Sequence, residues 1–197
     1  SGLLVELRGG PSVKPSQPDG LWFAVGYSGS NTVRFKPDQG SEKIHRRTLY
    51  TFIKRTALAP QCGTFDAPSR ETTTMRRERT NTPLQALLLM NDPQFVEAAG
   101  ALAGLCLGST EDHSTKAVAR SMFHRVTCRL PTTDELEILV MFFKSERERF
   151  EKDKQATDQL LAVVKLGSDS TIDRTDLAAW TLVANLVLNL DEVVTKN

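Results

Sequence analysis

The sequence predicts a mainly α-helical domain, a bundle of roughly six to seven helices in residues 41–197 with an irregular arm over about 1–40 packed on it. Three observations predict it. Beyond residue 80, apolar residues recur at helical spacing through most of the chain. Turn formers crowd the first 40 residues and otherwise fall in short breaks. Helix-opening signals, Thr82-Pro83, Asp92-Pro93, Thr132 with Glu135, and Asp173, stand immediately ahead of the apolar-periodic segments.

The bulk properties agree. With 197 residues, 40% of them hydrophobic and 25% charged, the chain can bury a core of its own, and a single domain over 1–197 is the default. A balance of 25 Lys and Arg against 24 Asp and Glu excludes a globally basic or acidic protein, so only local clustering of charge is informative. The longest apolar runs, 84–90 and 182–190, fall far short of the ~20 residues of a membrane span. The chain opens Ser1-Gly2-Leu3-Leu4-Val5, without an initiator Met or a charged-then-apolar leader, and reads as a fragment of something larger. Cys62, Cys106 and Cys128 are too few and too widely spaced for a disulfide framework, a zinc site or haem attachment; Cys106 and Cys128 read as small core side chains.

Taken in order, residues 1–40 carry Gly9-Gly10-Pro11, Pro15, Pro18-Asp19-Gly20, Gly26, Gly29 and Pro37-Asp38, which break every periodic pattern. Leu21, Trp22, Phe23, Val25 and Tyr27 are the apolar cluster expected to pin this arm to the helical body, with room for a short extended pairing. Ser41 is placed to cap a helix of about four turns through Ile44, Leu49, Tyr50, Phe52, Ile53 and Ala57, with Arg46, Arg47, Lys54 and Arg55 on its polar side. Pro60 ends it. Residues 61–81 lack a sustained period and read as an ordered loop.

Helices then succeed one another closely. One covers 84–90; a second opens at Asp92-Pro93 and runs from 94 to about 107, where Gly108 stops it. A third, 116–126, sets Val118, Ala119, Met122, Phe123 and Val126 on one face. Thr132 and Glu135 form a capping box ahead of a long helix through Leu136, Leu139, Val140, Phe142 and Phe143, whose charged end at 145–154 mixes signs and reads as solvated. Residues 156–166 make another helix, closed by Gly167. Asp173 caps the last, which is apolar on most sides and therefore central to the core.

Several segments stand out together: Arg46-Arg47-Thr48-Leu49-Tyr50-Thr51-Phe52, Phe65-Asp66-Ala67-Pro68-Ser69-Arg70-Glu71, and the run from Arg76-Arg77-Glu78-Arg79 through Thr82-Pro83-Leu84-Gln85 to Asn91-Asp92-Pro93-Gln94-Phe95-Val96. With Gly9-Gly10-Pro11-Ser12-Val13 and Ala179-Trp180-Thr181, they make the chain resemble, over nearly its whole length, the planctomycete family of unknown function known as DUF1553. The resemblance implies a C-terminal part of a large exported protein, periplasmic or at the cell surface, whose N-terminal domains would be its partners and often include a planctomycete-type cytochrome c domain. It implies no activity. Without a Cys-x-x-Cys-His there is no haem to assign here, and no cofactor is expected in this fragment.

The cluster that invites a functional reading lies between residues 41 and 80, where nine basic residues, seven of them arginine, face four acidic ones. The planar guanidinium fork binds carboxylate, phosphate or carbonyl in fixed geometry. In the structural reading, Asp66, Glu71 and Glu78 take part of the arginine set, and helix-end carbonyls take more. In the functional reading, Arg70, Arg76, Arg77 and Arg79 form an anion site for phosphate, an acidic small molecule or a sulfated or acidic glycan. Nucleic acid fits less well, because Tyr50 and Phe52 are not spaced as a stacking platform.

Catalytic candidates are sparse. His45, His113 and His124 lie far apart and in no metal-binding pattern. Asp66 and Glu71, paired as the two carboxylates of a glycosidase, would both be kept ionised by nearby arginines. The sequence therefore reads as a structural or binding module. The alternative is part of an enzyme on an anionic or carbohydrate substrate, with its catalytic groups upstream and Arg70, Arg76 or Arg79 stabilising developing negative charge.

Overall fold

A computed structural model describes residues 1–18, 20–22, 35–54, 58–69, 71–110, 112, 114–165 and 172–195. Among the described residues the chain is mainly helical, as expected, and it forms two compact units: Leu3–Gln85, and Ala86–Asn197 together with Ser1–Gly2.

The Ala86–Asn197 unit contains α4 (Pro93–Ser109), α5 (Thr115–Thr127), α6 (Thr133–Lys152), α7 (Lys154–Val164), α8 (Arg174–Leu188) and the short α9 (Asp191–Val194). Each main opening signal acts as its chemistry requires. Asp92 Oδ1 accepts the Gln94 amide at 2.9 Å, with Pro93 in the first helical position where no donor is lost. Thr132 and Glu135 close a reciprocal capping box, with Thr132 N–H donating to Glu135 Oε2 at 2.7 Å and Glu135 N–H to Thr132 Oγ1 at 3.3 Å. Asp173 Oδ1 accepts the Asp176 amide at 2.9 Å. Asp153 ends α6 and caps α7, which lets the two helices join without a linker.

α8 is the centre of this unit, packing chiefly on α4 and α6. Ala178, Ala179, Val183, Ala184 and Val187 are fully buried on it, and Trp180 stacks on Phe143 of α6 with centroids 4.2 Å apart. Met122, Phe123, Leu139 and Phe150 complete the interior. α4 meets α7 at Gly100, where an added Cβ would lie 2.2 Å from Val164 Cγ1, so only glycine permits this approach. Asn185 of α8, which is buried, and Asn189 just beyond its end reach carbonyls of the helical segment ahead of α4: Asn185 Nδ2 donates to Leu89 O at 3.2 Å and Asn189 Nδ2 to Ala86 O at 3.3 Å.

Three expectations need correction here. α4 runs past Gly108 to Ser109, the Thr110 hydroxyl donating to the Cys106 carbonyl at 2.7 Å. α7 ends at Val164, ahead of the predicted stop, with Lys165 in left-handed conformation (φ 50°); Leu166 and Gly167 lie outside the described residues. Cys128 is exposed rather than core, because it sits one residue beyond α5 with φ 61°, which takes its side chain off the buried face. Cys62 and Cys106 are buried, and burial pushes the Cys106 thiol upward in pKa, which keeps it protonated.

In Leu3–Gln85 the expected four-turn helix after Ser41 does not form. α1 spans only Ser41–Ile44, a 3-10 turn comes next at Thr48–Tyr50, and residues 46–52 are otherwise extended. The reason is competition for backbone groups. Val5 N–H donates to His45 O at 3.0 Å, Val13 N–H to Tyr50 O at 2.8 Å, and Phe52 N–H to Val13 O at 2.8 Å, so the arm takes the hydrogen bonds a helix would have used. Thr48, Thr51 and Ile53, β-branched, lose little by this exchange. Trp22 is buried and meets Phe35 edge-on at 5.0 Å and Phe52 at 5.6 Å, whereas Leu21 is exposed; Phe23, Val25 and Tyr27 lie outside the described residues. Within 61–81 a short α2 (Pro60–Thr64) precedes the expected loop, and α3 (Pro83–Asn91) comes after it.

Candidate functional site

The chain leaves α2 through Phe65 and Asp66, and Asp66 takes the left-handed conformation (φ 58°) that aspartate tolerates better than most residues. From there its carboxylate reaches across the loop to Thr80, whose N–H donates to Oδ2 at 2.8 Å and whose hydroxyl donates to Oδ1 at 2.8 Å. The Thr80 amide and hydroxyl, with a smaller contribution from the Arg77 charge, hold the Asp66 carboxyl below its usual range. It is an ionised tether.

Arg77 forms the second tether. Its Nε donates to Asp66 O at 3.0 Å and its Nη2 to Phe65 O, so one guanidinium closes over the two carbonyls at the exit of α2. The third is Gln85, 1% exposed, whose Nε2 donates to Thr64 O at 2.9 Å and to Thr80 Oγ1 at 3.1 Å while its Oε1 accepts the Thr82 amide at 3.1 Å. Its amide side chain is fully used, which explains how it can be buried. Gln85 escaped the sequence reading, although Thr82 and Gln85 stand at capping-box spacing and could have flagged it.

Between these tethers residues 71–81 are exposed throughout, and Met75 is completely so. Arg76, Arg77, Glu78, Arg79 and Thr80 line one open depression on this loop. Of the other residues singled out from the sequence, Glu71 is exposed, with its N–H 3.4 Å from Ser69 Oγ, and Arg70 lies outside the described residues. The histidines are not brought together: His45 ends α1, His124 is on α5, and His113 lies outside the described residues. Among the described residues no group of His, Cys, Asp and Glu could hold a metal ion, and no helix is long and apolar enough to cross a membrane.

Arg46, expected on the polar side of a helix, is instead the most enclosed cation of Leu3–Gln85 among the described residues, 9% exposed. Its Nη2 donates to Gly9 O at 2.6 Å and Leu7 O at 2.8 Å, its Nη1 donates to Pro11 O at 3.1 Å, and the guanidinium lies 3.7 Å from the Tyr50 ring centroid. Tyr50 Oη in turn accepts the Gly9 amide at 2.9 Å. Gly9 and Gly10, with φ of 77° and 88°, let the arm curl around the guanidinium.

Against known families, the model described as PSD1, Protein of unknown function (DUF1553), matches residues 1–143. No curated protein and no solved structure matches the chain.

Proposed function

We propose, for a chain that belongs to the DUF1553 family, that it is a binding module whose arginine-rich loop takes an anionic ligand. The observation that supports this most directly is the depression shared by Arg76, Arg77, Glu78, Arg79 and Thr80. Arg77 is committed to the carbonyls of Phe65 and Asp66 and serves as the brace of the loop. Arg76 and Arg79, both exposed, supply positive charge to a phosphate, sulfate or carboxylate. Arg70, Glu71 and Glu78 belong to the same loop and tune its charge. The module is one part of a larger exported protein, with that protein's N-terminal domains as its partners.

The state of Asp66 does not suit the proton-donating role in glycoside cleavage. A glycosidase acid must hold its proton near neutrality, and this carboxyl is shifted the other way by Thr80.

A thermal-shift screen tests the reading, with phosphate, sulfate, acidic and neutral oligosaccharides and short single-stranded DNA, each at low and physiological salt. The expected result is a salt-sensitive rise in Tm with anions, lost in an Arg76→Ala/Arg79→Ala variant that still folds. No shift with any anion overturns it.

A further inference from the structure

The charge of the chain, nearly neutral in total, is divided between the two units. Leu3–Gln85 carries thirteen Lys and Arg against seven Asp and Glu, whereas Ala86–Asn197 carries twelve against seventeen. The surplus of the first unit is not confined to the loop, since Arg8, Lys36 and Lys43 are exposed as well. A cationic surplus spread over one unit creates a field that a single small anion neither matches nor neutralises, and that a chain of anionic groups does.

From this, and resting on the anion-binding role of the loop, we infer that the ligand is a polyanionic polysaccharide, sulfated or carboxylated, lying along the surface of Leu3–Gln85 with Arg76 and Arg79 as two of its contacts. Single-stranded nucleic acid carries the same charge but gains much of its affinity from base stacking. Four described aromatic rings of this unit are already engaged: Trp22 is buried and meets Phe35 edge-on at 5.0 Å, Arg46 covers Tyr50 at 3.7 Å, and Phe52 packs against Trp22 at 5.6 Å and Lys14 at 5.2 Å. A glycan chain recognised through its anionic groups needs no such platform.

Binding of a polyanion releases counterions in proportion to the contacts made, so the salt dependence of affinity counts them. Titrating the whole chain with heparin, with inorganic sulfate and with single-stranded DNA of matched charge reads this count. Heparin affinity should fall by roughly 30-fold between about 50 and about 150 mM salt, against about 3-fold for sulfate, and Arg76→Ala/Arg79→Ala should reduce the heparin dependence to about 3-fold. A heparin dependence as shallow as that of sulfate overturns the polymer and leaves the anion site standing. DNA bound as tightly as heparin overturns the polysaccharide. No binding by any of the three removes both readings together.

Discussion

Ala86–Asn197 and Leu3–Gln85 are stabilised by different chemistry. The first encloses a continuous apolar interior, with Trp180 against Phe143 and an alanine-rich α8 at its centre. The second has few regular hydrogen-bond ladders, and side chains replace them. Arg46 gathers three arm carbonyls, Arg77 covers two more, and Gln85 joins Thr64, Thr80 and Thr82. Where helices satisfy the backbone, the side chains are left to pack; where the backbone is irregular, polar side chains must satisfy it.

The comparison is broken most severely by removing packing from the first unit. Trp180→Ala should cost about 3–5 kcal/mol in denaturant unfolding, through lost burial and the cavity left beside Phe143. A cost under about 1 kcal/mol would mean that this interior does not carry the unit. In the second unit the counterpart is Arg46→Ala, expected to cost about 1–3 kcal/mol by leaving the carbonyls of Leu7, Gly9 and Pro11 without their donor. Hydrogen exchange should then quicken at the Val5 and Val13 amides, which pair with His45 and Tyr50.

A polar clasp also exists at the rim of the apolar unit, and it sharpens the contrast. Arg129 donates to Glu135 at 2.9 and 2.6 Å and to Glu192 at 3.0 and 2.7 Å, with its guanidinium 4.6 Å from the Phe123 ring centroid. The Arg129 hydrogen bonds, then the Thr132 amide, lower the Glu135 pKa to about 2. With the folded value below the ordinary one of 4.5, the stabilisation is complete above 4.5 and is lost as pH falls through about 2. An NMR titration of the Glu135 carboxyl should show this, and Arg129→Ala should move its midpoint back up. The smallest effect is expected at Arg47 and Glu6, 3.2 Å apart with both side chains largely exposed, where Arg47→Ala should cost about 0.5 kcal/mol or less.

The helices of the apolar unit were legible because their signals are local. Asp92, Thr132 and Asp173 each cap a helix whose amide lies within three residues, and the spacing of Val118, Met122 and Phe123 fixes a buried face. The region after Ser41 was not legible for the opposite reason: its apolar pattern suits a helix, and that helix is defeated by pairing with Val5 and Val13, some 40 residues earlier. Arg46 could be counted as a cation from the sequence, but not placed among carbonyls supplied by the arm. In the loop, the acidic partners looked for around Arg77 matter less to it than the two carbonyls it covers.

The contact between Gly100 and Val164 makes two distant positions into one inheritance. A methyl group gained at residue 100 has nowhere to go unless carbon is given up at residue 164, since the space an alanine would occupy is already filled by the valine. Sequences that drift from this one should therefore change the two sites jointly or neither, and that linkage offers a way to trace the α4 and α7 seam through divergence where overall similarity has faded.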